Sequence, residues 1–168
     1  GGSWSGQTLT ISGVVSGSGG ITHNAGTGIL LLSGANTYTG ATTVSAGTLQ
    51  ISGAGSLGSG SYAGGIALGA GAMFQYSSSA FQRLTGVISG AGSLVKDTST
   101  STLMLGTEFV PLTNTYSGGT TLSAGRIYMT PLNDSLLGTG TVTLNGGTLH
   151  FDRVALSNDI VNNGATLH

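Results

Sequence analysis

Cysteine is absent from this chain of 168 residues, so neither a disulfide nor a thiolate metal site can stabilise it. Charge is nearly absent too: 5% of residues are charged, against roughly a quarter in an ordinary globular chain. Four basic and five acidic residues leave a net charge of -1, which offers no electrostatic footprint for nucleic acid or an anionic membrane surface. No run approaches the roughly 18 consecutive apolar residues of a membrane span, so this segment is not expected to insert into a bilayer. The start, Gly1-Gly2-Ser3-Trp4, lacks the basic and apolar regions of a signal peptide. In a piece of a longer protein, targeting segments would lie outside it. An apolar stripe at helical spacing is missing as well, and the glycine and β-branched content opposes helix throughout.

What is present is glycine, at 32 residues, with serine and threonine in most polar positions, and 38% hydrophobic residues. A chain this apolar has a core to bury and is not a disordered linker. Apolar residues pair at i and i+2, as in Leu30 and Leu32, Leu49 and Ile51, Leu103 and Leu105, and Leu149 and Phe151. That alternation is a strand signal. Glycine turns precede many of these pairs, among them Ala46-Gly47, Ala124-Gly125 and Gly146-Gly147, and glycine supplies the positive φ that such corners require.

The same phrases return at fixed intervals. Gly13-Val14-Val15-Ser16-Gly17 matches Gly86-Val87-Ile88-Ser89-Gly90, a step of 73 residues from Val14 to Val87, and the same step from Val87 reaches Ile160. Leu32 to Ile51, LSGANTYTGATTVSAGTLQI, has a second copy at Leu112 to Met129, LTNTYSGGTTLSAGRIYM. Asn36 and Asn114 are 78 residues apart, so five residues are inserted, and the atypical Thr107-Glu108-Phe109-Val110-Pro111 is where they belong. Insertions in stacked repeats map to loops. Strands recur about every 20 residues with no room for a helix between them. The expected fold is all-β: a right-handed parallel β-helix, a solenoid of about eight coils stacked at the interstrand spacing. It forms one segment over 1–168, with long units at about 13–85 and 86–158 and the start of a third at 159–168.

The phrase from Leu32 to Leu49, with its second copy from Asn114 to Gly125, resembles the autotransporter-associated β-strand repeat of passenger domains that Gram-negative bacteria export through the outer membrane. Leu156-Ser157-Asn158-Asp159-Ile160 is also similar to phrases that recur in these passengers. The second copy departs from the pattern at Arg126 and Ile127, where Thr-Leu is usual, and at the inserted segment, which puts local strand register there in question. The resemblance implies an extracellular, cell-surface segment that acts as a stalk or adhesion module without enzymatic activity or cofactor. Its implied partners are host or bacterial cell surfaces or glycans. Because an uncapped coil exposes a sheet edge, end-to-end or lateral self-association is a further expectation.

Candidate sites are sparse. Asn36, Tyr38, Asn114 and Tyr116 are candidates for glycan or surface contact; the competing role is structural, with Asn shaping a turn and Tyr packing over the coil with its hydroxyl in water. The carboxylates Asp97, Glu108, Asp134, Asp152 and Asp159 show no spacing that brings two onto one strand face, as glycoside cleavage requires. His23, His150 and His168 are too dispersed for a metal signature, and Asn133-Asp134 stands alone as a calcium motif. Gly17-Ser18-Gly19-Gly20 lacks the lysine and helix of a phosphate loop; with Gly58-Ser59-Gly60 it reads as a turn and not a nucleophile elbow. Two other classes compete with the stalk: an enzyme on a β-helix, such as a polysaccharide lyase or hydrolase, and an ice-binding solenoid suggested by Thr8-Leu9-Thr10 and similar triplets. Scarce ionisable residues weigh against the first, and the lack of a threonine register on every coil against the second.

Overall fold

In the computed structural model, which describes residues 6–168 apart from 99, 131–134 and 153, the chain winds as an all-parallel β-solenoid. Its strands are β1 (Thr8–Ile11), β2 (Ile21–Leu32), β3 (Thr42–Ile51), β4 (Ser61–Tyr62), β5 (Ile66–Leu68), β6 (Met73–Tyr76), β7 (Gln82–Leu84) and β8 (Ile88–Gly90). They continue as β9 (Ser93–Lys96), β10 (Thr102–Leu105), β11 (Thr120–Leu122), β12 (Arg126–Met129), β13 (Val142–Leu144), β14 (Thr148–Phe151), β15 (Ile160–Asn162) and β16 (Thr166–Leu167). A single 3-10 turn at Gly58–Gly60 is the only helical piece among the described residues, so Gly58-Ser59-Gly60 is a turn.

One sheet runs in the order β1-β2-β3-β6-β9-β11-β13-β15, and a second in the order β4-β7-β10-β12-β14-β16. The first carries a short extra column, in which Ile21–His23 pairs with Thr42–Val44, then with β5 and β8. The eight strands of the main column are joined by seven crossovers, giving about seven turns and not the eight coils expected from apolar pairs alone. A turn carries two or three strands. The sequence reading missed several of them, such as Gln82–Leu84 and Thr120–Leu122, because each has only three residues and shows little alternation.

Like side chains stack along the interior. Leu32, Ile51, Tyr76, Lys96, Leu122 and Leu144 occupy one column, register by register, and Leu30, Leu49, Phe74, Leu94, Thr120 and Val142 the next. Strand alternation sends every second residue inward, and these columns together with Leu103, Leu105, Ile127, Met129 and Leu149 form one continuous core. No buried side-chain nitrogen or oxygen among the described residues lacks a hydrogen-bond partner.

The two copies of the repeated phrase do not sit on the same faces. In the first, Thr42–Val44 lies in the short column and Thr48–Ile51 in the main column of the first sheet. In the second, Thr120–Leu122 lies in that main column and Arg126–Met129 in the second sheet. The second copy is displaced by one face, because a step of 73 residues is not a whole number of turns that each take 20 to 26 residues. Register through the departure from the usual pattern is regular: Arg126 pairs with Thr148 and Ile127 with Leu149. The segment Thr107 to Pro111 forms no strand, with Phe109 and Val110 exposed at its tip.

Candidate functional site

The Asn and Tyr residues of the repeat are interior. Asn36, Tyr38, Asn114 and Tyr116 are at most 1% exposed, so none of the four residues expected to offer glycan or surface contact presents its side chain to solvent. Their polar atoms are taken by neighbouring turns. The Val15 N–H donates to Asn36 Oδ1 at 2.9 Å, while Asn36 Nδ2 donates to the Gly34 and Ser56 carbonyls at 2.8 and 3.1 Å. The Ile88 N–H donates to Asn114 Oδ1, and Asn114 Nδ2 donates to the Leu136 carbonyl, both at 2.8 Å. Each asparagine thus ties its own turn to the one before and the one after. An apolar residue there would leave backbone groups without partners.

Each tyrosine closes the same loop onto a threonine four residues on. Tyr38 and Thr42 hydroxyls are 2.7 Å apart, and those of Tyr116 and Thr120 2.5 Å. Thr42 also bonds the Tyr62 hydroxyl at 2.7 Å, and Tyr38 and Tyr62 rings meet edge to face with centroids 5.4 Å apart. The hydroxyls are therefore not in water. Burial raises the phenol pKa of Tyr38 and of Tyr116, opposed in each by the threonine hydrogen bond.

A second device was not singled out in the sequence. His23 and Lys96, separated by the same 73-residue step, point inward one turn before each copy of the repeat, paired with Val44 and Leu122. His23 Nε2 donates to the Gly28 carbonyl at 3.1 Å, and Lys96 Nζ donates to the Thr98 carbonyl. The Ser-Ala-Gly corner of the following repeat packs against each. A Cβ on Gly47 would lie 2.9 Å from His23 Nε2, and one on Gly125 2.7 Å from Lys96 Nζ and 2.1 Å from the Thr98 oxygen. Lys96 Nζ also stands 5.9 Å from the centre of the Tyr76 ring, within cation–π range. Desolvation lowers the Lys96 ammonium to a pKa of about 8, with Asp97 pulling the other way. The 73-residue step that relates the two basic residues was the available signal.

The carboxylates do not gather into one cluster. Glu108 pairs with Arg83 at 3.0 Å, and Asp97 accepts from Gln75 Nε2 at 2.7 Å. Asp159 gives its backbone carbonyl to Val142, and Asp134 lies outside the described residues. His23 is remote in function from the other histidines, but His150 and His168 are brought together by the coil. Tyr128, His150 and His168 stack along the outside of the second sheet, with ring centroids 4.8 and 5.0 Å apart. Their separations of one turn hid this ladder from a search for local motifs. Beside it an open trough of about 540 Å³ is lined by Thr102, Ser123, Arg126 and Thr148, among others.

Comparison with known proteins agrees with this construction. The passenger-associated-transport-repeat family matches residues 24–51 and 98–127, which overlap both copies of the repeated phrase. The chain is similar to the adhesin BmaC autotransporter of Brucella suis biovar 1 (strain 1330), at 37% identity over 188 residues, covering 86% of this chain and 5% of that protein. The chain thus spans about one-twentieth of the length of the curated relative it matches. No solved structure gives a significant match. Two transport repeats whose Asn, Tyr and Thr side chains bind turn to turn, on a parallel β-solenoid, make this chain a repeat-bearing segment of an autotransporter passenger.

Proposed function

We propose that this chain is a non-enzymatic stalk and adhesion segment, carried outside the bacterial cell by a passenger exported through the outer membrane. The observation that carries the reading is where the repeat spends its polar side chains. Asn36, Tyr38, Asn114 and Tyr116 join turns to one another, which makes the repeat a building unit. A relative described as an adhesin autotransporter supports the same role. A stack stabilised by nearest-neighbour interfaces extends far from its anchor without disulfides, and the right-handed winding usual for parallel crossovers is part of this reading. Its partners are host or bacterial surfaces, glycans among them, with end-to-end or lateral association of copies as a second mode.

Attachment tests it. Beads coated with the 168-residue chain should adhere to cultured host cells or to bacteria above beads coated with an unrelated β-rich protein, and polysaccharides incubated with the chain should release no reducing or unsaturated ends. Sugar ends released in proportion to protein would replace the reading with an enzyme on a β-helix. Beads that adhere no better than controls would remove the adhesive role.

A further inference from the structure

We propose that the outer face of the second sheet is a binding face for a carboxylated polysaccharide lying along the solenoid axis. The inference rests on the adhesive reading and names the surface and the ligand class. Pairing in this sheet sets two outward rows. Thr102, Arg126, Thr148 and Thr166 form one; Arg83, Met104, Tyr128, His150 and then His168 form the other. The strands of this sheet contain no Asp or Glu. The nearest acidic chain neighbours are Glu108, held by Arg83 at 3.0 Å, and Asp152 just beyond β14. Of the four basic residues in the chain, Lys96 is buried and Arg153 lies outside the described residues, so both exposed arginines that are described stand on this face.

Geometry selects the ligand. Rings stacked on one another at 4.8 and 5.0 Å cover each other's faces, which disfavours the aromatic platform on which nucleic-acid bases stack. What remains accessible is a row of ring edges, the Tyr128 hydroxyl and the imidazole nitrogens, repeating once per turn. Among the described residues these groups and the Arg126 guanidinium have no hydrogen-bond partner in the chain. A repeating row of donors fits a repeating row of acceptors. Sugar hydroxyls and ring oxygens meet the edges and the threonine hydroxyls of the trough, and a carboxylate meets Arg126, whose planar fork binds carboxylates in pairs of hydrogen bonds. The trough beside Arg126, about 540 Å³ and lined by hydroxyls and glycine, gives such a chain room along the axis.

The test is retention of the soluble 168-residue chain on immobilised polygalacturonate, on its methyl ester and on dextran. Retention on the acid should exceed that on the ester, which keeps the backbone and removes the charge. Arg126→Gln and His150→Ala should each weaken it by about tenfold, the loss of one charge-assisted hydrogen bond, with thermal melting unchanged because both side chains are at the surface. Equal retention on acid and ester, no retention on any of the three, or Arg126→Gln binding like the parent would each overturn the proposal. Single-stranded DNA retained as well as polygalacturonate would also overturn it, as indiscriminate anion binding. Beads that adhere to cells equally with and without Arg126→Gln would remove this face and leave the adhesive role standing.

Discussion

Asn114 and Tyr116 stand two residues apart in the same loop, yet their contributions differ in kind. Replacing Asn114 by alanine removes a partner from the Ile88 N–H and the Leu136 carbonyl, and orphaned buried groups make the cost on the order of 3 kcal/mol. Tyr116→Phe removes one hydroxyl, while Thr120 Oγ1 still donates to the Leu137 carbonyl at 3.0 Å, so its cost should be about 1 kcal/mol. Urea unfolding midpoints distinguish the two, and a Tyr116→Phe loss as large as that of Asn114→Ala would contradict the ranking. Lys96 gives stability a pH dependence. Its folded pKa is lowered from 10.5 to about 8 because burial penalises the charge. Below about 8 both folded and unfolded chains carry the proton and the full penalty is present; above it the folded chain deprotonates first, so the unfolded chain binds more protons and stability rises with pH. Past pH 10 the buried tyrosines reverse the trend, since burial raises their folded pKa above the model value of 10.0. Melting temperature should therefore climb from pH 8 toward 10, and Lys96→Met should flatten the climb. A rise of the same size in Lys96→Met would assign it to other groups.

At the scale of the element, the corners decide how one strand column passes to the next. Gly125 has φ +75° and a Cβ there would sit 2.1 Å from the Thr98 oxygen, whereas Gly71 has φ +73° and open space around it. Alanine at Gly71 should cost only the left-handed backbone, roughly 1 to 2 kcal/mol; alanine at Gly125 adds a clash with fixed backbone and should lower the melting temperature further or prevent folding. Equal losses would mean that the turns are free to separate there. Strand interiors are equally exacting. Leu49 and Leu105 are fully buried, so aspartate at either would place an unpaired charge in the stack at a cost of several kcal/mol; unchanged melting would refute the inward assignment. The apolar pairs that marked both strands were visible in the sequence as i, i+2 alternation. Thr42–Val44 and Thr120–Leu122 were not, because each presents a threonine inward. That threonine is tolerated only through its hydrogen bonds to tyrosine, which no local pattern reveals.

For the whole molecule, each turn touches only its neighbours, so stability is close to a sum of turn and interface contributions. Hydrogen exchange on Asn114→Ala should show protection lost in the turns holding Ile88, Asn114 and Leu136 and retained in β2 and β3. Protection lost uniformly from β2 to β14 would show instead that the rod opens as a unit. The exposed Phe109 and Val110 belong to the inserted segment and touch neither stack, consistent with an insertion that the solenoid accommodates as a loop.

Composition, i, i+2 alternation and the 73-residue repeat by themselves determined an all-β parallel solenoid and its kinship with autotransporter passengers, because strand period and turn chemistry are local properties. Where each repeat falls around the turn was decided only in the tertiary structure. A repeat step that is not a whole number of turns moves the second copy by one face, buries the Asn and Tyr that looked available for contact, and brings Tyr128, His150 and His168 into one ladder across turns that are distant in sequence.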